Sequence, residues 1–413
     1  MVQYLAAVRR FNQPTVHFVL VCMLHSFAFN GIYTLLVNLY LLRLGYGPAV
    51  IGVFNGVANV AAAASALPAA LLAGRWHLKT PMVSGLSCSA LLIAILPVGE
   101  LLAGPAQIGW LIAVGALVSL AVSVWFVYGN PFMMTLVGER QRSQAFSIRW
   151  ALLALGGFAG NLVGGWLPPM YAAITGSSVG SPDPFRYALW TSAALVAIVS
   201  IWMTRVSAQR APEAAGQGLT GIGGAGAAGL VALVLFTSLL LQVTFTSTKI
   251  FFNVYMETNL GADTVLIGSL IGAGWLIAAP ASLVTPFVTA KLGHGRTVAF
   301  AAMIGSFMLL PVALIPRIAA AGAGFLSMSF TIGIFWPAYQ VFSMSVVRPD
   351  RRPLVYGSIV GAGGLAGTLL GAGGGYLIAA AGFREFFLLS SALTLVGVGV
   401  FWLTMVKQAQ RTE

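Results

Sequence analysis

The residues best placed for chemistry lie on one face of a long apolar segment. Polar side chains recur there at spacings of four, four, three and four residues: Ser238, Gln242, Thr246, Lys249 and Asn253. This spacing puts them on one face of an α-helix. In an apolar environment such a face costs free energy unless it meets water or protein, so we expect it to line a cavity.

Lys249 is the residue of this face that most strongly indicates a site. It lies 8–10 residues inward from Glu257 to Asn259, or ~12–15 Å along a helix, which is close to the middle of a ~30 Å hydrocarbon layer. A charge at that depth costs ~2.5–3.5 kcal/mol. We predict that Lys249 binds an anionic group of a substrate, with a proton-coupled amine as the second interpretation. A structural lysine that is held by carbonyls or extends to the interface is the alternative.

The first apolar segment carries a matching polar face. Asn30, Tyr33 and Thr34 lie on it, and Thr34 corresponds to Lys249 if the chain is an internal repeat. Their depth suits hydrogen bonds to a substrate, and hydrogen bonds between helices are the alternative. His25 precedes them, and because a free histidine side chain titrates near neutral pH, it is a candidate for proton coupling; a packed histidine is the alternative interpretation.

Two further segments contribute aromatic side chains. They are Trp125 and Tyr128 in one, and Trp336, Tyr339 and Gln340 in the other. Rings with a few polar groups suit a partly apolar ligand, but they also occur in ordinary helix packing. No Asp or Glu lies deep in any apolar segment, and no nucleotide or metal motif is present. The sequence therefore predicts no cofactor, no metal and no enzymatic activity.

Composition identifies the environment of these segments. Of 413 residues, 59% are hydrophobic and 7% are charged, which excludes a soluble domain and a disordered chain. Long apolar runs without period-two alternation predict membrane helices instead of barrel strands. We predict twelve: 15–44, 48–74, 80–102, 106–137, 145–173, 185–207, 227–258, 264–290, 296–316, 319–347, 353–381 and 384–407.

The basic residues predict the orientation. The net charge is +12, but the cations are scattered singly between apolar runs, so we reject nucleic-acid binding. Most of them fall in the alternate segments that include both termini, so both termini are predicted to be cytoplasmic in a cell inner membrane. Cys22 and Cys88 each lie in an apolar run and predict buried thiols, with no disulfide.

The chain also divides into two similar parts. A charged and Gly/Ala-rich stretch at 205–226 predicts a cytoplasmic linker between six-helix halves at 1–204 and 227–413. Asn38 to Gly52 resembles Asn253 to Gly268, with one inserted residue. Two six-helix halves in parallel orientation are one arrangement of secondary transporters, which bind substrate between the halves.

Three short motifs resemble those of the major facilitator superfamily. The loop Ala70 to Lys79 retains Arg75 and Lys79 of the family's Gly-x-x-x-Asp-Arg-x-Gly-Arg-Arg signature, and Pro286 to Gly295 retains Lys291. In both copies the signature Asp is replaced, which puts the family's ion-pair latch in doubt. The fifth segment resembles the Gly-x-x-x-Gly-Pro-x-x-Gly-Gly motif of exporters through Gly156, Gly160, Gly164 and Gly165, with Asn161 in place of Pro.

The resemblance implies an all-α membrane protein with twelve transmembrane helices in two pseudo-symmetric halves, and a cavity lined by helices one, four, seven and ten. Arg75, Lys79, Lys291, Gly160, Gly164 and Gly165 become gating candidates, although the glycines serve tight packing equally well.

We therefore expect a monomeric transporter that moves a small organic solute, anionic or amphiphilic, by alternating access, with efflux favoured. Its partners are the solute and the lipid bilayer. A proton-linked exporter of neutral or cationic compounds through His25 is one alternative. A membrane receptor or assembly factor that does not transport is the other.

Overall fold

A computed structural model describes residues 11–72, 78–137, 142–207, 225–345 and 352–406, and these residues form helices without strands. Twelve helices in them are long and apolar enough to cross a membrane, which confirms the predicted all-α fold class. The predicted orientation in the membrane stays a prediction.

The first six membrane helices alternate with short connections. Their bounds are α1 Gln13–Arg43, α2 Pro48–Leu72, α3 Lys79–Ile95 with a 3₁₀ extension at Leu96–Leu101, α4 Gly104–Leu136, α5 Arg142–Thr175 and α6 Asp183–Arg205. Helix α1 begins at the N-cap Asn12, whose side-chain oxygen accepts a hydrogen bond of 3.0 Å from the Thr15 amide.

The other six helices begin at Ala225. They are α7 Ala225–Thr258, α8 Thr264–Leu292, α9 His294–Leu314, α10 Ile318–Ser345, α11 Arg352–Thr368 and α12 Phe383–Phe401. Helix α11 continues through a π-helical turn at Leu369–Gly373 to Gly374–Ala381, and α12 ends in a second at Trp402–Val406. Gly293 and Gly382 separate neighbouring helices at φ values of 78° and 102°, where a side chain would be strained.

Two compact units group these helices. One unit contains the described parts of Met1–Gly45, Val57–Gln217 and Thr264–Gly272, and the other those of Tyr46–Gly56, Gly218–Asp263 and Ala273–Glu413. Each unit therefore includes the first turns of one helix from the other part of the sequence. The predicted halves 1–204 and 227–413 stay a prediction, and most of the predicted linker 205–226 lies outside the described residues.

Glycines bring α1 and α5 into direct backbone contact in the first unit. A Cβ atom on Gly160 would overlap the carbonyl oxygen of Phe27, and one on Gly156 would overlap that of Met23. Gly31 lies against Gly160 in the same way. Because no side chain separates the two helices, this crossing fixes the face that α1 turns toward the unit's interior.

A second crossing in this unit joins α5 to the first turns of α8. A Cβ atom on Gly165 would lie 2.8 Å from the Thr264 carbonyl oxygen, and one on Gly268 would lie 3.0 Å from the Gly165 Cα. One helix, α5, thus presents glycines to two neighbours.

The second unit has a matching crossing and an aromatic core. A Cβ atom on Gly371 of α11 would lie 2.8 Å from the backbone nitrogen of Gly56 in α2. Elsewhere Phe335 of α10 stacks on Tyr339 at 5.3 Å between ring centroids, and Phe401 of α12 packs edge-on against Tyr339 at 6.3 Å. Ring packing and glycine contacts together hold this unit.

The α1–α5 crossing predicts a sharp difference between two glycines. Gly160→Ala forces a methyl group into the Phe27 carbonyl and should lower the free energy of unfolding by about 1–3 kcal/mol. Gly109→Ala is the control, because a Cβ atom there meets no atom within 4 Å and should stabilise α4 by about 0.5–1 kcal/mol. Thermal unfolding in detergent measures both. Equal midpoints for Gly160→Ala and wild type would contradict close packing at this site.

Candidate functional site

The residues on the polar face of α7 differ in how deeply they are buried. Lys249 is exposed and Thr246 is half-buried, whereas Ser238, Gln242 and Asn253 are almost fully buried. The spacing therefore placed the five residues on one face, but protein covers most of it. Lys249 and Thr246 are the members whose side chains are not buried.

Lys249 is accessible at the centre of a membrane helix. It lies nine residues before Thr258, the last residue of α7, or ~13 Å along the axis. Its neighbours Thr248 and Ile250 are buried. Among the described residues it has no hydrogen bond and no carboxylate within ion-pair distance. A positive charge in this position has no partner of opposite charge among the described residues.

Gln242 lies two turns before Lys249 and packs against a glycine. Its Oε1 atom lies 3.0 Å from the position of a Cβ atom on Gly363 in α11. Its Nε2 atom is buried and has no hydrogen-bond partner among the described residues. An unsatisfied buried amide costs about 1–3 kcal/mol, so this donor is suited to a ligand acceptor.

The predicted aromatic residues of α10 differ in their surroundings. The Tyr339 hydroxyl is hydrogen-bonded to Ser238, and its ring stacks on Phe335, so Tyr339 holds α7 and α10 together. Trp336 is half-buried beside Phe335, and Gln340 is exposed. Asn253 is buried, and its Oδ1 atom accepts a hydrogen bond of 3.0 Å from the Val254 amide.

A π-helical segment, Ser26–Tyr33, interrupts α1 where the sequence predicts polar site residues. The Thr34 hydroxyl donates to the Phe29 carbonyl at 2.9 Å, and Asn30 Nδ2 donates to Ser26 Oγ at 3.1 Å. Ser26 Oγ in turn donates to the Leu153 carbonyl of α5 at 2.7 Å. Insertions of this kind are frequent at functional sites, and no sequence signal indicated this one.

Three rings stack along the same segment. His25 stacks on Phe29 at 5.6 Å, and Phe29 stacks on Tyr33 at 5.0 Å. Trp125 of α4 lies 5.3 Å from His25, and Tyr128 of α4 is almost fully buried. Neither imidazole nitrogen has a hydrogen-bond partner among the described residues, although both are buried. The histidine thus lies in an aromatic cluster of the first unit.

The structure adds a buried cation near the start of α5 that the sequence did not indicate as a site residue. Arg149 of α5 is 4% exposed, and its guanidinium lies 5.7 Å from the Phe18 ring centroid. An Nη atom lies 3.1 Å from the position of a Cβ atom on Gly129 in α4. A signal was present, because Arg149 lies seven residues before Gly156 and so shares the packed face of α5.

The gating candidates have local roles within their units. Lys79 Nζ donates to the Thr204 carbonyl at 2.6 Å, where α6 ends. Lys291 is exposed in the last turn of α8, and Gly160, Gly164 and Gly165 lie at the helix crossings. Arg75 lies outside the described residues.

An ionic cluster joins the end of α3 to the start of α6, away from the contact between Lys79 and Thr204. Arg186 pairs with Glu100 and, at 2.5 Å, with Asp183. The Tyr40 hydroxyl donates to Glu100 at 2.7 Å. Arg186 therefore links the two carboxylates, and the cluster braces the first unit.

With this geometry the comparisons identify the class of protein. The family model of the Major Facilitator Superfamily matches residues 18–369, and the chain belongs to this family. It is a multi-pass membrane protein of a transporter family. A search of curated protein sequences gave no significant match.

Solved transporter structures share the fold at low sequence identity. A variant of the nucleoside transporter NupG superposes with a TM-score of 0.76 at 15% identity, over 95% of this chain and 99% of that one. An inward-facing bacterial homologue of the human lysosomal transporter Spinster gives 0.73 at 14%, over 95% and 97%. A D-xylose–proton symporter gives 0.73 at 11%, over 94% and 97%.

Substitution of His25 tests whether its imidazole makes polar interactions that stabilise the protein. In His25→Phe the ring stack is kept while two buried unsatisfied nitrogens are removed, so the free energy of unfolding should rise, by up to about 1–3 kcal/mol. Thermal unfolding measures the change, with the exposed His17→Phe as control. A destabilised His25→Phe variant would show that the imidazole makes polar interactions that the protein needs.

Proposed function

We propose that the chain is a secondary transporter that moves a small anionic or amphiphilic organic solute across the cell inner membrane by alternating access, with efflux as the favoured direction. Both termini are then cytoplasmic, and the chain works as a monomer. Family membership supports transport. The exposed ammonium of Lys249, which has no partner among the described residues, is the observation that supports an anionic solute.

The physical argument rests on the cost of that charge. A lysine near the centre of a membrane helix costs ~2.5–3.5 kcal/mol unless water or a counter-charge reaches it. The described residues supply no counter-charge to Lys249, and an anionic solute would supply one. The proposed role of Lys249 is to attract and orient that anion.

Hydrogen-bonding and aromatic groups would orient the rest of the solute. In the second unit, Thr246 and the free Nε2 donor of Gln242 lie on the same helix face as Lys249. In the same unit, Trp336 of α10 is half-buried beside Phe335. Apolar rings with few polar groups are typical of sites for partly apolar ligands, which supports an amphiphilic solute.

Proton-linked export of neutral or cationic compounds through His25 is the second candidate. The two unpartnered ring nitrogens of His25 favour it, because each can accept or hold a proton. Against it, Phe18 links Arg149 to the ring cluster that contains Trp125 and His25. A protonated His25 would then be a second buried cation in that cluster. An anionic solute at Lys249 meets no such repulsion.

Ligand-induced stabilisation tests the anion site. Anionic, zwitterionic, neutral and cationic compounds are screened by thermal unfolding of wild type, Lys249→Gln and Lys249→Arg. A ligand at 100 times its dissociation constant stabilises by ~2.7 kcal/mol. Anionic ligands should give this shift with wild type, lose it in Lys249→Gln and recover part of it in Lys249→Arg, which keeps the charge but changes its shape.

The control is Arg317→Gln, which removes an exposed cation just before α10 and should leave the shift unchanged. Exchange of a stabilising anion by reconstituted proteoliposomes then distinguishes transport from binding alone. Anionic ligands that stabilise Lys249→Gln as strongly as wild type would refute the role of Lys249. Binding without exchange would instead favour a receptor.

A further inference from the structure

A groove runs along the first unit between α3 and α6. It has a volume of about 550 Å³, and small or apolar side chains line most of it, among them Val83, Ala90, Leu91, Ala194, Ile201 and Thr204. Leu91 and Ile201 are 63% and 58% exposed in the chain as a whole, so the groove opens to the outside of the protein. In a membrane protein, the surface outside such a groove is in contact with lipid or with another protein.

The length of the groove matches one lipid chain. Its lining on α3 extends from Val83 to Ala94, eleven residues or ~16 Å along the helix. Half of a ~30 Å hydrocarbon layer is ~15 Å, which is the depth of one leaflet. Alanines on both helices keep the groove open along this length. The Ser87 and Ser200 hydroxyls in its floor are hydrogen-bonded to each other at 2.7 Å, so they present little unsatisfied polarity to an apolar chain.

The charges at the two ends differ. Lys79 Nζ lies 2.6 Å from the carbonyl oxygen of Thr204, a lining residue, and exposed Arg205 follows directly. Two cations therefore lie at this end of the groove. The acidic residues of α3 and α6, Glu100 and Asp183, lie at the other end, where Arg186 pairs with both. The positive end lies one turn beyond Val83, at the level where a lipid phosphate would be.

We propose that the groove between α3 and α6 is a binding site for one acidic phospholipid, with an acyl chain along the alanines and the phosphate at Lys79 and Arg205. The length of the groove selects an acyl chain, and the charge at its end selects an anionic head group. This site is independent of the solute that the protein transports.

Lipid titration monitored by native mass spectrometry tests the proposal on the full-length protein in detergent. Phosphatidylglycerol and phosphatidylcholine with identical acyl chains are compared, so only the head group differs. Wild type should retain one phosphatidylglycerol in preference to phosphatidylcholine. Arg205→Gln should weaken phosphatidylglycerol binding about fivefold, the expected effect of one cation near a membrane surface. Ala194→Phe should fill the groove and abolish retention of both lipids.

Two matched variants control for charge and bulk. Arg296→Gln removes an exposed arginine from the first turn of α9, and Ala173→Phe adds a ring at an exposed alanine of α5. Both should bind phosphatidylglycerol as wild type does. Equal retention of the two lipids by wild type, or unchanged binding in Ala194→Phe, would overturn the proposal. So would a wild-type dimer that Ala194→Phe dissociates, because a second copy would then occupy the groove.

Discussion

Direct backbone contact at glycines is the constraint from which the rest of each unit follows. The hydrocarbon layer offers no water to polar backbone groups, so each membrane segment is helical, and lipid is as apolar as the side chains that helices would bury. Close packing must then hold the helices together. At Gly31 with Gly160, and at Gly371 with Gly56, two helices meet without an intervening side chain. These contacts determine which face each helix turns inward, and hence where its polar side chains lie.

Arg149 and Lys249 show how packing determines the surroundings of a charged side chain. Arg149 shares the packed face of α5, so the crossing with α1 carries its guanidinium into a cluster with Phe18 and Gly129. Lys249 lies on α7 between buried neighbours, yet its own side chain is exposed. A buried guanidinium that packs against rings supports structure. An exposed ammonium without a counter-charge among the described residues is the better candidate for contact with a solute, and this contrast favours Lys249.

The sequence was sufficient for the helices and the family, because the length of an apolar run is a local property and twelve such runs tolerate errors of a few residues. It was less informative about the site. Spacing places Ser238, Gln242 and Lys249 on one face, but it contains nothing about Tyr339 or Gly363, which cover part of that face. Arg149 lies near the start of the predicted helix 145–173, where a cation usually faces the membrane surface, so the sequence did not indicate its burial. The π-helical turn in α1 depends on its contacts with α5, which one-dimensional periodicity does not contain.

Lys79 is a residue of the altered signature motif whose contacts the structure shows. The Lys79 ammonium donates a hydrogen bond to the last turn of α6, where its positive charge interacts favourably with the negative end of the helix dipole. At the opposite end of the same two helices, Arg186 joins Glu100 and Asp183. Both ends of the α3–α6 pair are therefore fixed by charged groups, while small residues keep its middle open. Such bracing favours constant internal packing within the unit, which transport by alternating access of the facilitator type requires of each moving body. Lys79, the first residue of α3, thus has a structural role that does not need the signature Asp.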